Sequence, residues 1–156
     1  MIFVTLGTHE QPFERALDLV AGLADRDELL IQHGATHARP GLPHVEWLDY
    51  LEWEPLTASM RDAEVVITHA GVGSAVTAIR AGKKPVLVPR LARFGEHVDD
   101  HQLQLAERLA DFGLAVACGP GDRLEGAVAH ARATVARPPD VHESGLARAV
   151  AQAALA

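Results

Sequence analysis

The sequence predicts a single α/β domain of the Rossmann-like type, with a mostly parallel sheet and helices on both faces. Short apolar runs typical of buried strands alternate with segments whose apolar residues recur at helical spacing, and this alternation favours a parallel sheet. The 156 residues, 48% of them apolar, suffice for one domain with its own core. We expect one domain over residues 1–156, with a core at 1–118 and added helices at 121–156.

In the first half of the chain, each element follows from its residue pattern. The opening apolar run predicts a strand. Pro12 suits the first turn of the next segment, where apolar residues recur every three or four positions. Glycines and prolines across 33–43 predict a loop, and Pro55 again stands near a helix start. The elements expected here are strands at 2–6, 28–32 and 45–50 and helices at 12–24 and 54–63.

The second half continues the alternation. Gly82 suits the position just after a helix, and the apolar run at 85–89 is bounded by prolines, as in a short buried strand. Asp99 or Asp100 suits the cap of a helix that Gly113 ends. The elements expected here are strands at 65–68, 85–89 and 114–118 and helices at 74–81, 103–112, 124–134 and 143–155.

Composition excludes several classes of function. A net charge of −7 gives no electrostatic support for a nucleic-acid partner. Cys118 is the only cysteine, which excludes an internal disulfide and fits a reducing compartment. No apolar run reaches the roughly 20 residues that span a bilayer, and the opening residues lack the basic start of a signal peptide. We expect a cytoplasmic protein that reaches a membrane only through another protein.

Three loops carry the candidate site residues. In a parallel sheet, ligands bind beyond the carboxyl ends of the strands. We expect the loops at 7–11, 69–74 and 90–102 to converge there, because each follows a predicted strand.

The loop at 69–74 has the sequence His69-Ala70-Gly71-Val72-Gly73-Ser74. Small residues between a strand and a helix let a phosphate approach the free N–H groups of the helix. A His is a poor choice for a tight structural turn, whereas its ring can donate to a phosphate oxygen. The competing interpretation is a steric turn in which Ser74 is only a helix cap. The pattern favours a ligand that carries a diphosphate.

The segment 95–102 is dense in polar side chains and has three interpretations. Charged loops are usually solvated. Alternatively, Glu96, His97, Asp100 and Gln102 read sugar hydroxyls by hydrogen bonds. A third interpretation is a metal site, because His97 and His101 are spaced four apart beside Asp100. No further strong ligand is evident apart from His9, and we expect neither a metal nor another cofactor.

The loop after the first strand is the third part of the candidate site. Gly7 and Thr8 line the ligand cleft in the functional interpretation, and His9 is the candidate proton carrier. The alternative is a plain connection between strand and helix. Arg90 and Arg93 either balance phosphate charge or are solvated. Trp47, Tyr50 and Trp53 are expected in the core by default, and the alternative is an exposed cluster that marks a partner surface.

Together the motifs resemble those of the family 28 C-terminal domain, the nucleotide-sugar-binding half of GT-B glycosyltransferases. The likeness is greatest to small catalytic subunits of two-component UDP-sugar transferases, of the exopolysaccharide, capsule and dolichol-linked GlcNAc types. It covers residues 1 to about 118. The motifs are His69-Ala70-Gly71-x-Gly73-Ser74, Gly82-x-x-Pro85, Glu96-His97-x-x-Asp100-His101-Gln102 and the opening Phe3-Val4-Thr5-Leu6-Gly7-Thr8-His9-Glu10-Gln11-Pro12-Phe13.

The resemblance implies residue roles. His69, Gly71, Gly73 and Ser74 would contact the diphosphate of a UDP-sugar. Glu96 and His97 would lie at the donor sugar, with Asp100 and Gln102 close by. The family usually has a ribose-binding Glu where this chain has Thr77, and one hydroxyl cannot replace a bidentate carboxylate.

The resemblance also implies the reaction and its partners. A hexosyl group would pass from a UDP-sugar to a lipid-linked acceptor held by a membrane-anchored partner subunit, which would recruit this chain to the inner face of the membrane. The general base would lie on the partner or be His9. The alternatives are a non-catalytic UDP-sugar-binding or regulatory module and a metal-dependent hydrolase.

Overall fold

The computed structural model describes residues 1–134 and 143–154 of the chain. Six strands alternate with helices along these residues. The strands are β1 Ile2–Thr5, β2 Leu29–Gln32, β3 Val45–Leu48, β4 Val65–His69, β5 Val86–Val88 and β6 Val116–Ala117. The helices are α1 Glu14–Ala21, α2 Trp53–Asp62, α3 Val72–Arg80, α4 His101–Asp111, α5 Leu124–Thr134 and α6 Glu143–Ala154. A 3-10 turn, Ala92–Phe94, lies between β5 and α4.

The six strands form one sheet in the order β3-β2-β1-β4-β5-β6, and every neighbouring pair is parallel. The chain runs outward from β1 to β3, then returns to place β4 on the other side of β1. The carboxyl ends of β1 and β4 therefore flank the point where the strand order reverses, which is where open α/β sheets bind ligands. The α/β prediction is confirmed.

Helices cover both faces of the sheet. On one face α1 and α5 pack against alternate strand residues such as Val4 and Ile67. On the other, Phe3 and Val66 pack against α2 and α3, and Leu87 packs against α3 and α4. The central strand β1 is buried on both faces, which explains its unbroken apolar run.

Several boundaries differ from the predictions. Helix α1 begins at Glu14 rather than Pro12, because the backbone of Phe13 is not helical (φ −123°, ψ 58°); its N–H donates to the Thr36 hydroxyl. Helix α3 begins at Val72 rather than Ser74. The predicted link at 137–139 lies outside the described residues. No helix among 1–134 and 143–154 has the length and apolarity needed to cross a membrane.

Two predictions about single residues also change. Tyr50 and Trp53 are 57% and 64% exposed, so only Trp47 of the aromatic cluster packs against the core. Arg90 is neither solvated nor free for a phosphate, since it is 1% exposed. Cys118 is buried, and burial raises the pKa of its thiol to about 11.

Candidate functional site

A cavity of about 310 Å³ opens at the carboxyl ends of β1 and β4; we call it the switch cavity. It brings together two of the three predicted loops and the first residues of α3. Gln102, the last residue of the third predicted loop, lies in the first turn of α4 and also lines the cavity. Its lining residues are Thr5, Gly7, Thr8, His9, Gln32, Leu51, Leu56, His69, Gly71, Gly73, Ser74 and Gln102.

The imidazole of His69 is packed between two glycines. A Cβ at Gly7, whose φ is +83°, would lie 2.5 Å from His69 Nε2, and a Cβ at Gly71 would overlap His69 Cε1. Both glycines are therefore required by the ring itself, before any ligand is considered. Gly34 in turn supports Gly7, because a Cβ there would lie 2.5 Å from the Gly7 carbonyl oxygen.

Hydrogen bonds determine the tautomer of His69. Its Nδ1 accepts from the backbone N–H of Gly71 at 3.0 Å and lies 3.4 Å from the Gln102 amide nitrogen. The proton must then be on Nε2, which lies 3.2 Å from Ser74 Oγ. Ser74 accepts this bond, so its own hydroxyl proton is available to the cavity.

His69 is neutral at physiological pH. Burial lowers its pKa to about 4, and the nearby Arg90 guanidinium acts in the same direction. The ring therefore serves as a rigid neutral donor that orients Ser74. Because the ring is uncharged, it cannot offset the charge of a bound anion.

Gly73 differs from the other glycines of this turn. A Cβ there would meet no atom within 4 Å, and its φ is not positive. It is the second residue of α3, where the backbone N–H groups have no partner within the helix. The absence of a side chain leaves these donors open to the cavity. The fold itself does not require a glycine at this position.

Thr5 and Gln32, which the sequence did not single out, form the polar floor of the cavity. The Thr5 hydroxyl donates to Gln32 Oε1 at 2.5 Å, and Gln32 Nε2 donates to the carbonyl of Asp49 at 2.9 Å. Gln32 Nε2 also lies 3.4 Å from the Gly7 carbonyl. The pair holds the 7–11 loop in place, and its only sequence signal is a buried polar residue ending a strand.

Glu96 has a structural partner and does not line the switch cavity. It is 5% exposed, and its two carboxylate oxygens each lie 2.9 Å from the Arg15 guanidinium. One of them also accepts from the Leu91 backbone N–H at 3.0 Å. The structure thus places Glu96 in a brace between α1 and the loop after β5.

Arg90 completes this brace. Its guanidinium donates to the carbonyls of Leu6 at 3.0 Å and Gln11 at 2.8 Å and lies 4.6 Å from the centre of the Phe13 ring. Its backbone N–H donates to Gln102 Oε1 at 3.0 Å. The loops after β1 and β5 are therefore tied together behind the cavity, and burial lowers the pKa of the guanidinium.

Histidines cluster at the rim of the site. His9 lines the switch cavity, and its ring centre lies 5.5 Å from that of His97. His97 and His101 line a neighbouring cavity of about 280 Å³ on the other side of Gly71. Asp99 lies between these two rings, with Oδ1 3.1 Å from His97 Nδ1 and Oδ2 2.7 Å from His101 Nδ1.

This geometry does not assemble the metal set considered from sequence. Asp100 points elsewhere, since its Oδ1 accepts from the Ala92 backbone N–H at 2.9 Å. Across 1–134 and 143–154, no three His, Cys, Asp or Glu side chains come together as metal ligands would. Asp100 also lines neither of these two cavities.

A third cavity, of about 600 Å³, adjoins the switch cavity and shares Leu56, Gly73 and Ser74 with it. We call it the outer cavity. It lies between α2, α3 and α6, and Trp53, Thr77 and Arg80 contribute to its lining. The Thr77 hydroxyl donates to the Gly73 carbonyl at 2.7 Å, so only its oxygen lone pairs face outward.

The described lining of the switch cavity contains no lysine or arginine. Negative charge bound there would be offset by backbone N–H groups, the N-terminal dipole of α3 and the hydroxyls of Thr8 and Ser74. Fold and site thus define a doubly wound α/β domain with the open N-terminus of a helix at its strand-order reversal, an arrangement that suits anions in α/β proteins.

The family follows from comparison with known proteins. Residues 1–151 match the glycosyltransferase family 28 C-terminal domain, and the chain belongs to this family. A curated relative is the UDP-N-acetylglucosamine transferase subunit ALG13 of Yarrowia lipolytica, 29% identical over 124 residues. The match covers 70% of this chain and 60% of the length of that relative.

Solved structures share the fold. The glycotransferase of kitacinnamycin superposes with a TM-score of 0.68 at 23% identity, over 97% of this chain and 39% of that one. The NMR structure of ALG13 superposes with a TM-score of 0.61 at 20% identity, over 94% of this chain and 92% of that one. The recognition of a family 28 C-terminal domain from the sequence motifs is confirmed.

Proposed function

We propose that this chain is the donor-binding catalytic subunit of a UDP-sugar-dependent glycosyltransferase. The observation that carries the proposal is the open N-terminus of α3, where Gly73 leaves backbone donors exposed beside the Ser74 hydroxyl. A diphosphate suits this arrangement, because it accepts several hydrogen bonds and benefits from the helix dipole. Family membership supplies the reaction class.

In this proposal the donor spans the two cavities that meet at Gly73 and Ser74. The diphosphate lies in the switch cavity at the start of α3. The nucleoside extends into the outer cavity, where Trp53 offers an exposed aromatic surface and Thr77 an acceptor oxygen. The departing UDP is stabilised by preorganised N–H donors, an arrangement that is effective because it needs no reorganisation during the reaction.

We further propose that the hexosyl group passes to a lipid-linked acceptor held by a membrane-anchored partner subunit. The relative from Yarrowia lipolytica is named as a transferase subunit, which supports a divided enzyme. A cytoplasmic location, with recruitment to the inner face of the membrane, belongs to the same proposal.

Thermal unfolding in the presence of UDP tests donor binding. At a UDP concentration 100 times the dissociation constant, linkage stabilises the folded state by about 2.7 kcal/mol, or roughly 5–10 °C in a domain of this size. Uridine, which has the base and ribose but no phosphate, should give a far smaller shift. Equal shifts with both compounds would contradict diphosphate binding at α3.

One observation favours a second candidate, a non-catalytic UDP-sugar-binding module. Thr77 donates its only hydroxyl proton to its own helix and cannot hold both ribose hydroxyls as a carboxylate would. Sugar transfer assayed with UDP-N-acetylglucosamine, membranes from the source cells and this chain distinguishes the two. UDP binding without transfer under those conditions would favour the module.

A further inference from the structure

His9 and His97 lie side by side at the rim of the site, each with Nδ1 engaged and Nε2 left free by the described residues, but the two Nε2 atoms differ in protonation. A general base needs an unprotonated ring nitrogen with a free lone pair, whereas a donor needs an N–H. The hydrogen bonds of each ring show which of the two it supplies.

His9 uses its lone pair within its own loop. Its Nδ1 accepts from the backbone N–H of Gln11 at 3.1 Å, which places the proton of the neutral ring on Nε2. His69 has the same arrangement, since its Nδ1 accepts from the Gly71 N–H. Both rings face the switch cavity as donors, so neither supplies a free lone pair.

His97 has the opposite arrangement. Its Nδ1 lies 3.1 Å from Asp99 Oδ1, and two lone pairs at that distance would repel each other, so Nδ1 carries the proton. The Asp99 backbone N–H also points to this nitrogen, but from 3.4 Å, and the carboxylate is both closer and charged. Nε2 is then unprotonated, and no described residue donates to it.

Asp99 is well suited to orient this ring. The backbone N–H of His101 and the His101 ring also bind its carboxylate, and these contacts lower its pKa. An ionised carboxylate on Nδ1–H selects the tautomer of a base and stabilises the imidazolium that forms. The His97 side chain is 22% exposed and lines the cavity beside Gly71, so it is open to a reactant.

We infer that His97 is the general base of the transfer reaction and that Asp99 is its positioning residue; this inference rests on the proposed function. His97 Nε2 removes the proton of the attacking hydroxyl, whose oxygen forms a bond to the anomeric carbon. The bond between that carbon and the diphosphate oxygen breaks, and UDP leaves with the electron pair. His9, with its proton on Nε2, faces the leaving diphosphate as a donor.

Release of UDP from UDP-N-acetylglucosamine by this chain, assayed with membranes from the source cells that supply the proposed partner and acceptor, tests the assignment. Exchanging His97 for Gln removes a base without large change in size, and the expected loss of rate is about 100-fold or more. UDP affinity should stay within threefold of wild type, because His97 does not line the switch cavity. His9→Gln should weaken UDP binding instead.

The outcomes separate the two proposals. A wild-type chain that does not bind UDP would overturn the proposed function. With the membranes present, a wild-type chain that binds UDP-N-acetylglucosamine but releases no UDP above the membranes alone, or a His97→Gln variant within tenfold of the wild-type rate, would overturn the assignment of the base.

Nitrogen NMR of the histidine rings gives a readout that does not depend on turnover. At neutral pH we expect the neutral His97 ring to carry its proton on Nδ1, and His9 and His69 on Nε2. In Asp99→Asn the amide can donate to Nδ1, which moves the His97 proton to Nε2 and lowers the rate by a similar factor. A wild-type His97 ring protonated on Nε2 would overturn the inference.

Discussion

The open position at Gly73 allows stability and ligand binding to be separated with one methyl group. In Gly73→Ala the new Cβ meets no protein atom within 4 Å, and the residue lies in the first turn of α3. Replacing a helical glycine by alanine stabilises a helix by about 0.5–1 kcal/mol, so the unliganded variant should melt about 1–4 °C higher than wild type.

UDP binding should change in the opposite direction. The methyl group would occupy the space beside the N–H donors of the helix start, displacing the diphosphate from at least one charge-assisted hydrogen bond. Such bonds contribute about 1.5–3 kcal/mol, which corresponds to a roughly 10- to 150-fold loss of affinity. Calorimetric titration with UDP measures this loss, and the melting temperature of the same sample measures stability.

Gly126→Ala is the matched control. Gly126 also lies in the first turn of a helix, α5, and a Cβ there also meets nothing within 4 Å. Both variants should gain similar stability, but only Gly73→Ala should lose UDP affinity. If Gly73→Ala bound UDP as tightly as wild type, the diphosphate would not lie at the start of α3.

Three further predictions follow from the packing of the site. Gly71→Ala forces its Cβ into the His69 ring and should destabilise the fold by about 2 kcal/mol or more, as measured by denaturant unfolding. A variant as stable as wild type would show that the ring can move aside. Glu96→Gln weakens the pair with Arg15 and should lower the free energy of unfolding by about 2–3 kcal/mol. UDP affinity should change less than threefold. A loss of binding free energy larger than the loss of stability would contradict a purely structural role for Glu96. The pKa of His69 is lowered to about 4 in the folded protein, so between pH 6.5 and 4 a proton binds this residue in the unfolded chain but not in the folded one. Stability is therefore full above pH 6.5 and should fall by about 3 kcal/mol as the pH is lowered to 4. Urea unfolding of wild type and His69→Gln across that window should show this contribution only in wild type, and an identical pH dependence would refute it.

The sheet and the glycine turn could be predicted because their signals are local. Apolar runs alternate with helical periodicity, and glycines bracket His69 within a few residues of sequence. The structural role of each glycine was harder to predict. The sequence suggests that they make room for a phosphate, whereas Gly7 and Gly71 make room for the imidazole and only Gly73 is left open.

Long-range partners account for what the sequence could not show. Glu96 pairs with Arg15, 81 positions away, and the guanidinium of Arg90 reaches carbonyls of the loop after β1. The polar residue types of a loop do not show whether an arginine from a distant part of the chain will pair with them. The choice of Asp99 over Asp100 as the partner of two histidines likewise depends on where α4 begins.

Amide chemical shifts on titration with UDP are the most direct measurement of donor binding at α3. We predict that the largest changes fall on the backbone N–H groups of residues 72–74, with smaller changes at 7–9, and that uridine reproduces few of them. Changes centred outside the switch cavity, or an absence of changes at 72–74 under saturating UDP, would contradict the proposed donor site.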